Sequence, residues 1–480
     1  MVGRYDVIII GGGVIGCAIA HELSRFNIDV ALLEKHAEVG FGTSKTNSGI
    51  VHPGHDTGLD TLKGRLVVHG NALFDSLATE LHFGFRRIGE INVAIAESDL
   101  PILERMKKQG EDKGVPGLEM WDQVRLRREE PNLSPALIGA LYAPSAGVIN
   151  PYEFTFALIE NAVRNGVALF VESPVQSIVP DGDGLCVTTP RDVINGRFVL
   201  NCAGIASDQI EGLLGFHSFS IQPRKGEEYM LDKRLKGLVR RLVFPVPTPI
   251  TKGTLIIPTF DGTLMVGPTV RNVEDREDFS TTAQGAEDVF SFVRRLCTAI
   301  SPRDVITEFA GLRAVSDTND FVIGPTRVKG FLNVAGIQSP GLTCAPSIAE
   351  YVRDILRTEG LSLVEKSNFK VDVKAPTRFA LLHPDEQEIR ARENPLFARM
   401  ICRCEGVTEA EIHEAIDHGA RTLDGIKFRN RTGMGRCQGG FCTSRCMEIL
   451  ARRLGIPIHE VTKRGGESWI VTPITTPEEE

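Results

Sequence analysis

The chain has no apolar stretch of the roughly 20 residues that a membrane-spanning helix requires, and no long run of Lys or Arg. The first absence excludes an integral helical membrane protein. The second, with a net charge of −8, argues against nucleic acid or an anionic lipid surface as the main partner; peripheral membrane contact stays open. No internal repeat and no low-complexity tract is present, which excludes a repeat array. The apolar start "VIIIGGGVIGCAIAHEL" carries glycines that an export helix would avoid, and no cleavage-like site follows. The sequence therefore reads as cytoplasmic. Cysteine is well represented, with ten residues. In a reducing compartment a cysteine cluster points to metal or redox chemistry rather than disulfides.

With 480 residues, 42% hydrophobic and 24% charged, the composition is that of an ordinary soluble protein of about three domains. "TPEEE" at the C-terminus reads as a solvated acidic tail. The opening "YDVIIIGGGVIGCAIAHELSRFNIDVALLEK" reads as strand, glycine turn, helix and strand. Val7 to Ile10 form the continuous apolar run of a strand buried on both faces. Gly11, Gly13 and Gly16 complete Gly-x-Gly-x-x-Gly, a turn that lets backbone and helix approach a pyrophosphate. A second strand, residues 30–33, ends at Glu34, where a ribose hydroxyl needs an acceptor. Strand, helix, strand and acid in that order indicate a dinucleotide. FAD is favoured over NAD because the fingerprint opens the chain and further flavin-type segments follow: "RFVLNCAGIASDQI" (197–210) and "FLNVAGIQSPGLTCAPSIAEYVRDIL" (331–356). In the second, a strand ends at Gly336 and a helix is expected from Thr343 or Ala345; its N-terminus would stabilise negative charge on a reduced flavin.

"GTSKTNSGIVHPGHDTGLDTLKGRL", "QPRKGEEYMLD", "VPTPITKGTLIIPTFDGTLMVGPT", "AGLRA" and "GIQSPGLT" follow in order. With the fingerprint, they resemble the FAD-dependent glycerol-3-phosphate dehydrogenase and oxidase family, part of the glycine-oxidase-like flavoproteins with the D-amino-acid-oxidase type of fold. The likeness covers roughly residues 5–356. L-2-hydroxyglutarate dehydrogenases share a similar "NSG…H" stretch. "CRCE" and "GMGRCQGGFC" resemble the BFD-like 2Fe–2S domain that is fused to the large subunit of anaerobic glycerol-3-phosphate dehydrogenase and to dye-linked amino-acid dehydrogenases.

The resemblance implies an α/β fold. Segments 1–80, 145–215 and 305–360 would form a Rossmann-like FAD domain, and 81–144 and 216–304 an antiparallel-sheet substrate domain. A linker (361–398), a small helical four-cysteine domain (399–460) and a tail (461–480) would follow. It also implies a flavin cradle: Val14 and Ile15 with the three fingerprint glycines, Glu34 and Lys35 after the second strand, and Thr43, Ser44, Asn47 and Ser48 in the loop. Val175, Ala203, Gly204, Gly311, Gly336, Gly341, Leu342 and Thr343 would complete it.

In the tail, Thr408 with Glu411 makes a capping box, Ile412, Ala415 and Ile416 an apolar helix face, and a further helix is expected from Thr443 to Leu454. Cys402 and Cys404 form Cys-x-Cys, and Cys437 and Cys442 form Cys-x4-Cys. Soft thiolates select zinc, iron–sulfur clusters or copper(I), and two sulfurs per iron would complete a 2Fe–2S cluster. Structural zinc is the alternative. It carries no electrons, which a chain with a flavin half has use for. Cys446 is either a core thiol or a spare ligand. Cys17, Cys186, Cys202, Cys297 and Cys344 read as small buried residues.

Oxidising a secondary alcohol needs a base, and an imidazole is suited to proton removal near neutrality. His52 after "NSGIV" is the candidate, preferred over His55 because the family pattern falls on His52. Arg313 in "AGLRA" can hold a carboxylate or phosphate bidentately. Lys252 in "PITKGTL", Ser48 and Ser339 match family positions near substrate or flavin; Arg224 and Lys225 are as compatible with a solvent-facing strand. The expected function is oxidation of sn-glycerol 3-phosphate to dihydroxyacetone phosphate, with electrons passed through FAD and a 2Fe–2S cluster to a protein partner. Alternatives are an L-2-hydroxyglutarate (2-hydroxy acid) dehydrogenase, a dye-linked amino-acid dehydrogenase and a non-catalytic electron-transfer subunit.

Overall fold

The computed structural model describes residues 2–247, 253–371 and 374–472. Its chain divides into two compact units, residues 1–33 with 40–373, and residues 34–39 with 374–480.

The first unit is organised on two large sheets. In the eight-stranded one, Val2–Ile10 lies between Val30–Leu33 and Val193–Asn201, parallel to both. Ala168–Phe170 and Phe331–Ala335 extend the parallel set. Ser177–Asp181, Gly184–Thr188 and Val322–Pro325 add antiparallel strands. Val7, Ile8 and Ile9 are fully buried, because helices cover a parallel sheet and leave neither face to water. The helix Val14–Leu23 packs against Pro151–Arg164 and Gly341–Thr358. The last of these begins two residues before Thr343.

The second sheet has nine strands. Ile221–Leu231 and Val305–Ser316 form its longest antiparallel pair, in register from Ile221 opposite Ser316 to Met230 opposite Thr307. The sequence division groups residues from 305 with the FAD segments. Val305–Ser316 is nevertheless a strand of this second sheet, because ladder bonds to Ile221–Leu231 run along its length. One apolar cluster of the sheet collects Tyr229, Val266 and Phe290, and another collects Phe244, Ile257 and Met265 with Ile50 of the "NSGIVH" segment.

In the second unit, Met400–Cys402 pairs with Val407–Thr408. The helices Glu409–Asp417, Leu423–Asn430 and Thr443–Leu454 enclose Ile412, Ile416, Ile426, Met447 and Leu450. The capping box of Thr408 and Glu411 is present. Glu38 ties residues 34–39 into this unit: it accepts from the Arg421 N–H at 3.2 Å and from Arg429 Nη1 at 2.8 Å. The segment read as a linker holds a helix, Pro384–Glu393. No helix among the described residues is long and apolar enough to cross a membrane.

Candidate active site and thiolate centre

The fingerprint glycines have separate physical reasons. A Cβ on Gly11, at φ +111°, would lie 2.4 Å from the Cys202 carbonyl oxygen, and one on Gly16 would lie 2.0 Å from the Gly11 oxygen. Gly11 lets the ends of two neighbouring strands close together, and Gly16 lets the helix close on the end of the first strand. Gly13 differs, since a Cβ there would meet only Ser44 Oγ, at 3.4 Å. Its missing side chain leaves room in front of a helix N-terminus, the place and the polarity a pyrophosphate needs. These residues fit FAD. Ser44 Oγ accepts from the Val14 N–H at 2.8 Å, and Thr43 Oγ1 donates to the Leu312 carbonyl at 2.8 Å. A Cβ on Gly311 would meet Thr46 Oγ1 at 2.5 Å, so this loop lies directly against the strand that carries Arg313.

His52 is buried, and its backbone is held from both sides. Its N–H donates to Thr343 Oγ1 at 2.9 Å, and its carbonyl accepts from Asn71 Nδ2 at 2.9 Å. Its ring packs edge-on to Phe244, with centroids 6.0 Å apart. His55 serves elsewhere, with Nε2 2.8 Å from Asn92 Oδ1 and 3.5 Å from Glu90 Oε1 in the interior.

Cross-strand partners share a face of a sheet. Arg224 opposes Arg313, Gly226 opposes Gly311 and Glu228 opposes Phe309, so Arg313 and Glu228 point to the same side. Arg313 is half-buried and makes no hydrogen bond or ion pair among the described residues. Burial lowers its pKa, Arg224 adds to that effect and Glu228 opposes it. Glu228 is 3% exposed and accepts a hydrogen bond from Ser48 Oγ at 2.5 Å. Burial pushes its carboxyl up to about 7, against the Ser48 hydrogen bond and the Arg313 charge. Sequence reasoning passed over Glu228. The available signal was two successive acids within a strand, because alternation sends one to each face. Glu227 takes the other face and accepts from the Thr282 N–H at 2.7 Å. Lys225 also lies there, bonded to Asp278 at 2.7 Å. Arg224 bonds Asn272 Oδ1 at 3.0 Å.

The remaining expected residues are more scattered. Asn47 Nδ2 donates to the Ser44 carbonyl and its Oδ1 accepts from the Gly49 N–H. Ala203 and Gly204 follow the strand Val193–Asn201, with Gly204 at φ +57°. Gly336 follows Phe331–Ala335 at φ +66°, and Gly341 and Leu342 open the helix that carries Thr343. Val14 and Ile15 begin the first helix. Val175 packs on the apolar cluster of the eight-stranded sheet. Ser339 is exposed. Glu34 and Lys35 group with the second unit, where Glu34 Oε1 accepts from the His36 N–H at 2.8 Å and Lys35 is exposed. Lys252 lies outside the described residues.

In the second unit the thiols meet in pairs. Cys404 Sγ and Cys437 Sγ are 3.5 Å apart, and Cys402 is in side-chain contact with Cys442. A tetrahedral zinc with Zn–S bonds of about 2.3 Å would bring all six sulfur pairs to about 3.8 Å. Two thiolates on each of two irons would complete a 2Fe–2S cluster from these four cysteines. Cys446 is buried in the local core beside Cys442. Cys404 is exposed, and Phe441, which precedes Cys442 in the chain, is 82% exposed. Cys17, Cys202, Cys297 and Cys344 are buried and Cys186 is half-buried.

Residues 6–355 match the family model of FAD dependent oxidoreductases, and residues 400–452 match that of BFD-like [2Fe-2S] binding domains. The chain is 42% identical to a glycerol 3-phosphate dehydrogenase of Caloramator mitchellensis, over 99% of each chain. It is 24% identical to a subunit of the anaerobic glycerol-3-phosphate dehydrogenase of Escherichia coli K12, over 93% of this chain and 88% of that one. Among solved structures it is similar to the dithionite-reduced, FAD-bound L-alpha-glycerophosphate oxidase of Mycoplasma pneumoniae. There the TM-score is 0.73 at 27% identity, over 77% of this chain and 98% of that one.

Proposed function

The chain belongs to the FAD dependent oxidoreductase family and carries a BFD-like [2Fe-2S] domain, and from that premise we propose that it oxidises sn-glycerol 3-phosphate to dihydroxyacetone phosphate. It is an FAD-dependent dehydrogenase resembling the glycerol-3-phosphate dehydrogenases. When bound, FAD supplies the acceptor for the hydride from the alcohol carbon, and the cluster supplies a one-electron route to a protein partner.

The chain's own residues then have three tasks. His52 takes the proton of the substrate hydroxyl, with its backbone fixed by Thr343 and Asn71. Arg313 binds the phosphate, and Lys252 adds a second positive charge to the same anion. The loop 43–48 and the start of the helix Gly341–Thr358 hold the flavin; Ser48 and Ser339 are the hydroxyls assigned to contacts with substrate or flavin. The observation that carries the reading is Arg313, a half-buried guanidinium without a partner among the described residues, on the sheet face that meets the "NSGIVH" loop. A desolvated cation held open in this way calls for an anionic ligand. In the tail, Cys402, Cys404, Cys437 and Cys442 hold the cluster, and exposed Cys404 marks the side from which an electron-accepting protein takes delivery. We place the enzyme in the cytoplasm.

The test is a substrate panel under anaerobic conditions, following loss of oxidised-flavin absorbance. Glycerol 3-phosphate should bleach the flavin. Bleaching by L-2-hydroxyglutarate or an amino acid, without response to glycerol 3-phosphate, would overturn the assignment.

A further inference from the structure

We infer that Glu228 determines specificity: its Oε2 accepts the O–H of a neutral terminal hydroxyl of the substrate. The inference deepens the glycerol 3-phosphate reading and rests on it.

Three observations on one residue carry it. Glu228 is 3% exposed. Its Oε1 is engaged by Ser48 Oγ at 2.5 Å. Its Oε2 is buried and has no hydrogen-bond partner among the described residues. A buried carboxylate oxygen without a donor is costly to keep, and this one belongs to a side chain fixed at its other oxygen. Arg313 lies on the same sheet face and its charge acts on Glu228, but no hydrogen bond or short ion pair joins them among the described residues, so Oε2 receives no donor from the guanidinium. Ser48 stands four residues before His52 in "NSGIVH", which places the carboxylate beside the segment that supplies the base.

The chemistry follows from the substrate's two ends. Glycerol 3-phosphate carries its charge at one end and a neutral hydroxymethyl group at the other. The phosphate goes to Arg313, the middle hydroxyl gives its proton to His52, and the terminal hydroxyl donates to Glu228 Oε2. Burial raises the Glu228 carboxyl to about 7, so near neutral pH a substantial fraction is ionised and able to accept.

The test compares sn-glycerol 3-phosphate with propane-1,2-diol 1-phosphate, which lacks only the terminal hydroxyl, in anaerobic flavin reduction by wild type and Glu228→Gln. Wild type should reduce its flavin roughly 10–100-fold less efficiently with the deoxy compound, the usual value of a hydrogen bond to a charged group. Glu228→Gln should lose a similar factor on glycerol 3-phosphate and little on the deoxy compound. If the two phosphates are equivalent for wild type, a result that needs no variant, the inference fails. It also fails if Glu228→Gln lowers both substrates in parallel, which would make Glu228 structural while leaving the glycerol 3-phosphate reading intact. Wild-type reduction by L-2-hydroxyglutarate but not by glycerol 3-phosphate would overturn both.

Discussion

Ser48 and Glu228 lie 180 positions apart in the chain and meet at 2.5 Å; Cys404 and Cys437 lie 33 apart and meet at 3.5 Å. The first unit assembles its site from distant segments. Thr43 reaches the Leu312 carbonyl and His52 reaches Thr343, contacts between segments 269 and 291 positions apart. The second unit draws four cysteines from residues 402–442 and backs them with a small core of Ile412, Ile426 and Leu450. Geometry in the first is fixed by sheet packing. In the second the proposed cluster would add to the small core, since metal-binding free energy in such small sites is also folding free energy.

A single added methyl group in each unit should separate the two cofactors. Gly11→Ala puts a Cβ 2.4 Å from the Cys202 oxygen, and Gly435→Ala puts one 2.3 Å from Cys404 Cβ. The first variant is expected to lose FAD and keep iron. The second is expected to keep FAD and lose iron, with wild type holding about two irons and two labile sulfides. Flavin absorbance together with iron and sulfide analysis on each variant measures both. Loss of both cofactors from either variant would show that the units do not form independently.

The next largest effect stays within the first unit. His52→Asn should retain FAD and slow substrate-driven flavin reduction by roughly 10²–10⁴-fold, the range of a lost general base. Stopped-flow reduction under anaerobic conditions reads this directly, and an unchanged rate would remove His52 from the chemistry.

The smallest effect is on stability. Folding raises the Glu228 carboxyl from its ordinary 4.5 to about 7, so between those values the folded protein holds a proton that the unfolded chain has lost. Stability must then fall as pH rises through this window. Glu228→Gln removes the titration, so its melting midpoint should fall less than that of wild type between about pH 5 and pH 8. Parallel midpoints would mean that Glu228 is not buried against its charge.

The same contrast explains what could be read from the sequence. Gly11, Gly13 and Gly16 and the adjoining strands are local features, and the tail helix Thr443–Leu454 follows its predicted bounds. The helix Leu423–Asn430 escaped notice because its buried side consists of Asp424, Gly425, Ile426 and Asn430, too few apolar residues to mark a face. The start of the helix Gly341–Thr358 was hidden by the glycine and prolines of "SPGLTCAP". Glu228 was invisible for a different reason. Its significance lies in the strand opposite it and in a serine 180 residues away, and no local pattern holds that information. The membership of Val305–Ser316 in the second sheet is likewise a property of pairing rather than of the segment itself.

The division of labour between the units is tested most directly by Cys402→Ser combined with Cys404→Ser, mixed anaerobically with glycerol 3-phosphate while flavin absorbance is followed. With the oxidation site in the first unit and the electron exit in the second, the flavin should bleach at about the wild-type rate while electron delivery to the protein acceptor is lost. Loss of bleaching in a variant that still holds FAD would contradict this account.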